Sequence, residues 1–132
     1  MVLSLLKLFG SRQGLLSAQV VCKTAINRTD WNCIQSPYDA ISKLNNKAGG
    51  TTTISAGANI HGRTSETQMA AAVAAAKAAD ASVFIIGGDW STEHEGMDRP
   101  NISLPGDQAL LVRQVRQAVG PSKPIIAVMI HG

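Results

Sequence analysis

A chain of 132 residues, 45% hydrophobic and 16% charged, is long enough for one domain with a core and has a globular rather than a disordered composition. Its net charge of +3 is mild, and its lysines and arginines stand singly, with no run and no aromatic interleaving. That argues against the clustered basic face of a nucleic-acid binder, and no apolar run reaches the roughly eighteen residues of a membrane-spanning helix. Neither a nucleic acid nor a membrane is expected as a partner.

Residues 1–31 read as a leader. "MVLSLLKLFGSRQGLLSAQVVC" has two short apolar bursts, broken by Lys7 and by Ser11-Arg12. A secretory signal places its positive charge first and then an unbroken apolar stretch. Here the order is wrong and the run is short, so the signal peptide is unconvincing and an amphipathic helix or a non-native leader is expected. Cys22 and Cys33 offer neither a Cys-x-x-Cys pair nor Cys/His ligand spacing, so no zinc site follows; a disulfide and two thiols both fit. His61, His94 and His131 are too isolated in sequence for a metal cluster. No metal and no cofactor are expected.

From Asn32 the pattern becomes regular. "SPYDAISKLNN" opens with Ser36 as N-cap and Pro37 at the first helical position, takes its apolar contacts from Ile34, Ala40, Ile41 and Leu44, and stops at "KAGG". Thr51–Ser55 is a short β-rich strand, followed by the loop "GANIHGRTS". Ser65 caps "SETQMAAAVAAAKAAD", an alanine-rich helix with Met69, Val73 and Ala76 as its inner stripe. "ASVFIIGG" is apolar throughout, as in a parallel strand covered on both faces. In "GDQALLVRQVRQAVG", Leu111, Val112, Val115, Ala118 and Val119 share one helical face. "IIAVMIHG" is a second all-apolar strand.

Helix, strand, helix, strand with short connections predicts an α/β fold, a three-layer α/β/α sandwich with a mainly parallel sheet and flavodoxin- or Rossmann-like layering. Ligands of such sheets sit beyond the carboxyl ends of the strands. Gly87–Gly106 falls there, with His131 at a similar edge. About three strands are legible where an open sheet usually has about four to six. Residues 32–132 are therefore expected to be a partial domain, with an uncovered strand that invites self-association.

The chain has nine carboxylates and places Asp89, Glu93, Glu95 and Asp98 in "GGDWSTEHEGMDR". Carboxylates beside the indole of Trp90 suit a sugar: the ring stacks, hydroxyls donate to carboxylates, and a protonated carboxyl can protonate a glycosidic oxygen. The bland alternative is a solvated loop with an Asp98–Arg99 salt bridge and Trp90 packed on the sheet. A nucleotide-binding module would also use a strand–Gly-Gly–loop–helix order. Neither G-x-G-x-x-G nor G-x-x-x-x-G-K-[ST] is present, however, and crowded carboxylates repel phosphates.

"VAAAKAADASVFIIGGDWSTEHEGMDRPNISLPGDQALLVRQVRQAV" with "KPIIAVMIHG" resembles the second domain of glycoside hydrolase family 3, nearest its plant and fungal β-xylosidase branch. The likeness runs from about Cys33 to the end. It rests on Asp89, then Glu93, Glu95, Asp98 and Arg99, then Leu104, Pro105, Gly106, Gln108 and Leu111. It implies a retaining hydrolase of β-xylosidase or β-glucosidase type, acting on terminal β-linked sugars of an oligosaccharide or glycoside. In that family a (β/α)8-type barrel carries the aspartate nucleophile, and the α/β sandwich lends the acid/base glutamate. The "EGMDR" register gives that role to Glu95, with Glu93 the runner-up because of the E-x-E arrangement. Trp90, His94 and Asp89 become substrate contacts; Asp98 and Arg99 shape the loop through a mutual or backbone-directed pairing. This chain has no barrel-like stretch, so alone it is expected to be inactive, and a carbohydrate-binding protein that kept only the fold is the alternative. The compartment is open. The resemblance favours an extracellular setting, and Asn27-Arg28-Thr29 and Asn101-Ile102-Ser103 fit the glycosylation pattern.

Overall fold

The structure, a computed structural model, describes residues 2–5 and 35–130. Cys22, Cys33, Ile34, the first glycosylation triplet and His131 lie outside the described residues. The chain runs β1 (Val2–Leu5), α1 (Pro37–Lys47), β2 (Thr52–Ser55), α2 (Glu66–Ala78), β3 (Ala81–Gly87), α3 (Gln108–Val119) and β4 (Ile125–Ile130).

The four strands form one sheet in the order β2-β1-β3-β4. β3 and β4 pair in parallel, from Ser82 opposite Ile125 to Gly87 opposite Ile130. β1 is antiparallel to both β2 and β3. Hence β2, β3 and β4 share one direction, and the α/β expectation holds with a single reversed strand inside the sheet. Of the two expectations for the leader, an amphipathic helix or a non-native segment, the helix is not what Val2–Leu5 forms: these four residues are a strand. "VLSL" is too short for a helix, and it lies between β2 and β3, whose facing edges would otherwise have no ladder there. Its partners are far away in sequence, so no local signal announces it.

α1 begins as the sequence dictates. Ser36 Oγ accepts from the Asp39 amide at 3.1 Å, and Pro37 occupies the first turn. Tyr38 and Ile41 press on Ala81 and Val83 of β3. The next inward position is Asn45, 6% exposed, whereas Leu44, expected inside, is 62% exposed. Asn45 Nδ2 donates to the Thr51 carbonyl and to Thr52 Oγ1, tying the end of α1 to the start of β2. Positions 38, 41 and 45 keep a helical stripe, and the amide takes the last of them because the chain turns back beneath it.

α2 and α3 cover the other face. Met69, Ala72, Ala76, Leu111 and Val115 close over Phe84 and Ile86. Ala72 and Ala76 are almost wholly buried, and their small side chains let α2 lie close to the sheet. Burying a side chain such as Phe84 or Leu111 contributes about 1.5–3 kcal/mol. Lys123 Nζ donates to the Lys77 and Ala79 carbonyls at 2.6 and 2.7 Å, closing the C-terminal end of α2. Helix, sheet, helices: the three layers bring the carboxyl ends of β3 and β4 to one edge.

Candidate functional site

The acidic loop leaves β3 through a glycine that nothing else can replace. Gly87 has φ +140°, and a Cβ there would lie 1.8 Å from the Ile130 carbonyl oxygen. Its amide donates to Gln108 Oε1 at 2.7 Å, and Gln108 Nε2 donates to its carbonyl at 2.8 Å. Gly88 then bonds to β4, its amide donating to the Ile130 carbonyl at 3.0 Å.

A tight turn follows. The amides of Thr92 and Glu93 donate to the Asp89 carbonyl, and Thr92 Oγ1, buried, accepts from the Asp89 amide at 2.9 Å. The Ser91 amide donates to Asp89 Oδ1 at 2.9 Å, and the Ser91 hydroxyl donates to the same oxygen. These bonds, the hydroxyl's first among them, hold the Asp89 carboxyl below the usual aspartate range, with desolvation opposing them. His61 Nε2 stands 2.7 Å from Ser91 Oγ. The serine has one hydroxyl proton and gives it to Asp89, so Nε2–H is the donor. His61 therefore cannot act as base toward Ser91, and the Asp–Ser–His line is a tether rather than a nucleophile.

Trp90 is 75% exposed and does not pack on the sheet. Its ring stacks on His94 with centroids 4.9 Å apart and planes 21° from parallel. His94 Nδ1 lies 2.9 Å from the Trp90 carbonyl oxygen. A carbonyl only accepts, so the proton is on Nδ1 and Nε2 is left to other partners.

His94 and Met97 exchange backbone hydrogen bonds of 3.2 and 2.8 Å, which puts Glu95 and Gly96 at the tip of a two-residue turn. Gly96 has φ +82°, while no residue other than glycine has positive φ among the described residues, the pattern of a type II turn. Glu93, Glu95 and Asp98 are exposed, and no side-chain hydrogen bond or ion pair engages them among the described residues. The Asp98–Arg99 salt bridge expected as one way of shaping the loop does not form there: the Arg99 guanidinium donates to the Ser103 carbonyl instead. Arg99 thus reaches forward along its own chain, where a carbonyl four residues on lies within its span.

The return to α3 is also held by backbone. A Cβ on Gly106, φ +58°, would lie 2.0 Å from the Asn59 carbonyl oxygen. Asp107 Oδ2 accepts from the Thr64 amide at 2.6 Å, so it ties the 57–64 loop down instead of capping α3. A cavity of about 200 Å³ lies beneath the loop root, between Ala58, Ile60, Ile86 and Ile130. A larger groove of about 560 Å³, between the starts of α2 and α3, contains Glu66 and Asp107 but none of the loop acids. The smaller one sits where ligands of such sheets bind.

The structure brings Asp89, Trp90, Glu93, His94, Glu95, Asp98 and Arg99 into one loop at the sheet edge. Ser91 and Thr92 carry no sequence signal, His61 enters the sequence reading only as an isolated histidine, and Gln108 and Gly106 only as motif letters. The one available signal was "LPGDQ" itself, where a glycine and an amide precede a helix that needs neither.

The model of the glycosyl hydrolase family 3 C-terminal domain matches residues 8–132, starting upstream of the boundary expected at residue 32. A probable exo-1,4-beta-xylosidase of Aspergillus japonicus is 34% identical over 97 residues, covering 74% of this chain and 11% of that protein. Probable beta-D-xylosidase 7 of Arabidopsis thaliana is 46% identical over 61 residues, 46% of this chain and 8% of its own length. Beta-D-xylosidase 1 of the same plant is 47% identical over 62 residues, 47% of this chain and 8% of its own. The chain thus spans about a tenth of these relatives, and no solved structure matches it. With the match running through the strand, the acidic loop and α3, the chain belongs to glycosyl hydrolase family 3, as sequence of its C-terminal domain.

Proposed function

We propose that residues 88–107 are the acid/base loop of a retaining β-glycosidase of β-xylosidase or β-glucosidase type. Glu95 protonates the departing glycosidic oxygen and later takes a proton from the attacking water. The nucleophile, an aspartate on a (β/α)8 barrel domain outside this segment, bonds to the sugar's anomeric carbon as the protonated leaving group departs. One observation carries the reading: Glu95 stands at the tip of a tight turn, exposed and unengaged among the described residues, in the same loop as an exposed indole. Glu93 is the second candidate, exposed but placed before the turn rather than on it. Trp90 offers one face of its ring to a sugar while His94 backs the other, and Asp89, held ionised, accepts from a sugar hydroxyl. The names of the plant and fungal relatives favour a xyloside.

Joining the chain to a family 3 barrel with an intact nucleophile tests this. Glu95→Gln should lower turnover of an unactivated β-xyloside by about 10²–10⁴-fold, while Glu93→Gln retains most of it. The reverse result would move the acid/base role to Glu93. Without a barrel, no turnover is expected. Equal sugar binding by the isolated chain and its Glu95→Gln and Glu93→Gln variants, with no turnover in the joined form, would favour a carbohydrate-binding module.

The isolated chain should also self-associate through β4. Ile126, Val128, Met129 and Ile130 are 42–60% exposed, and the strand carries no charge or proline to protect its edge. β2, at the other edge, is short and mostly threonine and serine. A sedimentation coefficient that rises with concentration is expected. One that stays monomeric at high concentration would count against this association.

A further inference from the structure

Gln108 is the first residue of α3, yet it is 4% exposed and its carboxamide meets Gly87 with both of its ends. Gly88 is the residue that bonds to β4, so the polar groups of Gly87 face the opposite edge of β3. On that edge β1 pairs, among the described residues, as far as Phe84. The carboxamide supplies the donor and the acceptor that a neighbouring strand would have supplied. The bond pair spans 21 positions of sequence and joins the residue before the acidic loop to the residue after it.

We propose that Gln108 is the positioning residue of this loop, a clamp that closes its base and fixes the direction in which Asp89 to Asp98 leave β3. Its catalytic meaning rests on the acid/base reading above; the clamp itself rests on the geometry at Gly87. Gly106 strengthens the same base, because its close approach to Asn59 holds the segment that delivers Gln108. A closed base leaves the tip fewer arrangements, and bringing two distant feet together has an entropic cost that two buried hydrogen bonds offset.

The chemistry of the clamp provides its test. A carboxamide and a neutral carboxyl each present one donor and one acceptor, whereas a carboxylate presents only acceptors. Gln108→Glu therefore keeps the clamp while protonated and turns a lone pair on the Gly87 carbonyl once ionised. The adjoining cavity is lined by Ala58, Ile60, Ile85, Ile86, Gly88 and Ile130, none of them ionisable. The nearest acids in sequence are Asp107, engaged by the Thr64 amide, and Asp89, engaged by Ser91. Burial raises the introduced carboxyl above the ordinary glutamate range, against the N-terminus of α3, which favours the ionised form.

Amide hydrogen exchange on the full chain reads the outcome, expressed as protection relative to the unstructured rate. Gln108→Leu should lower protection at Gly87 and Gly88 about tenfold or more, leaving Val83 and Phe84 unchanged. Gln108→Glu should keep protection at about pH 5 and lose it near pH 8. Unchanged protection at Gly87 in the leucine variant overturns the clamp. So does a loss spread evenly over β3 and α3, or a glutamate variant with the same loss at both pH values. If the leucine variant does not fold, recovery of the glutamate variant at low pH decides. No sugar enters the measurement, so its failure leaves the Glu95 reading standing, and failure of Glu95→Gln leaves the clamp standing.

Discussion

The loop's root and its tip are held in opposite ways. At the root, Gly87, Gly88 and Thr92 are fixed by backbone and buried side-chain bonds to Ile130, Gln108 and Asp89. At the tip, Glu95 and Gly96 belong to one turn closed by two hydrogen bonds, with no other heavy atom within 4 Å of where a Gly96 Cβ would stand. A rigid base with an unencumbered end suits the role proposed for Glu95: the path of the loop is set, and the carboxyl is not spent on a local partner among the described residues.

The contrast is broken most directly at the root. Gly87→Ala and Gly106→Ala each force a methyl into a carbonyl oxygen with backbone on both sides, so neither clash can be relieved by a rotamer. Each should destabilise the chain by more than about 3 kcal/mol, read from urea unfolding. A loss under about 1 kcal/mol would mean that the root is as yielding as the tip.

Much of this was legible in advance, for reasons that individual residues make plain. Ser36-Pro37, Ser65 and the apolar run of β3 are local signals, and the elements begin where those residues place them. The loop acids were legible as a cluster because four carboxylates in so short a stretch need solvent, a ligand or each other. β1 was not legible, since a four-residue strand has meaning only beside β2 and β3. Asn45 in place of Leu44, and Gln108 as a clamp, were hidden for the same reason: each amide is buried by a backbone group that the fold brings to it. Arg99 bonding to the Ser103 carbonyl instead of Asp98 is a choice between two nearby acceptors that sequence spacing alone does not rank.

At the tip a substitution should be far milder. Gly96→Ala meets open space and is disfavoured only by φ +82°, which costs about 1–2 kcal/mol for an L-residue. In the joined enzyme its effect on turnover should exceed its effect on stability, because a turn that changes type moves Glu95 while the sheet stays in place. Equal losses in both would place the tip under the same control as the root.

The smallest effect is electrostatic and sits where root and tip meet. Asp89 is depressed chiefly by the Ser91 hydroxyl, with the Ser91 and Thr92 amides and the charge of His61 adding to it. A folded-state carboxyl below its unfolded value contributes stability at pH above the unfolded value, and the contribution is lost as pH falls through the folded one. A carbon-detected titration should therefore find Asp89 below the ordinary aspartate midpoint. Ser91→Ala should raise that midpoint, and His61→Ala should raise it less, since the hydroxyl bond is the largest cause and the charge of His61 a smaller one. Because the carboxyl is solvent-exposed, global stability should hardly change in either variant, and the shift should appear in the titration alone. An Asp89 midpoint that ignores Ser91→Ala would break the tether between the 57–64 loop and the acidic loop, and with it the claim that the root is fixed from both sides.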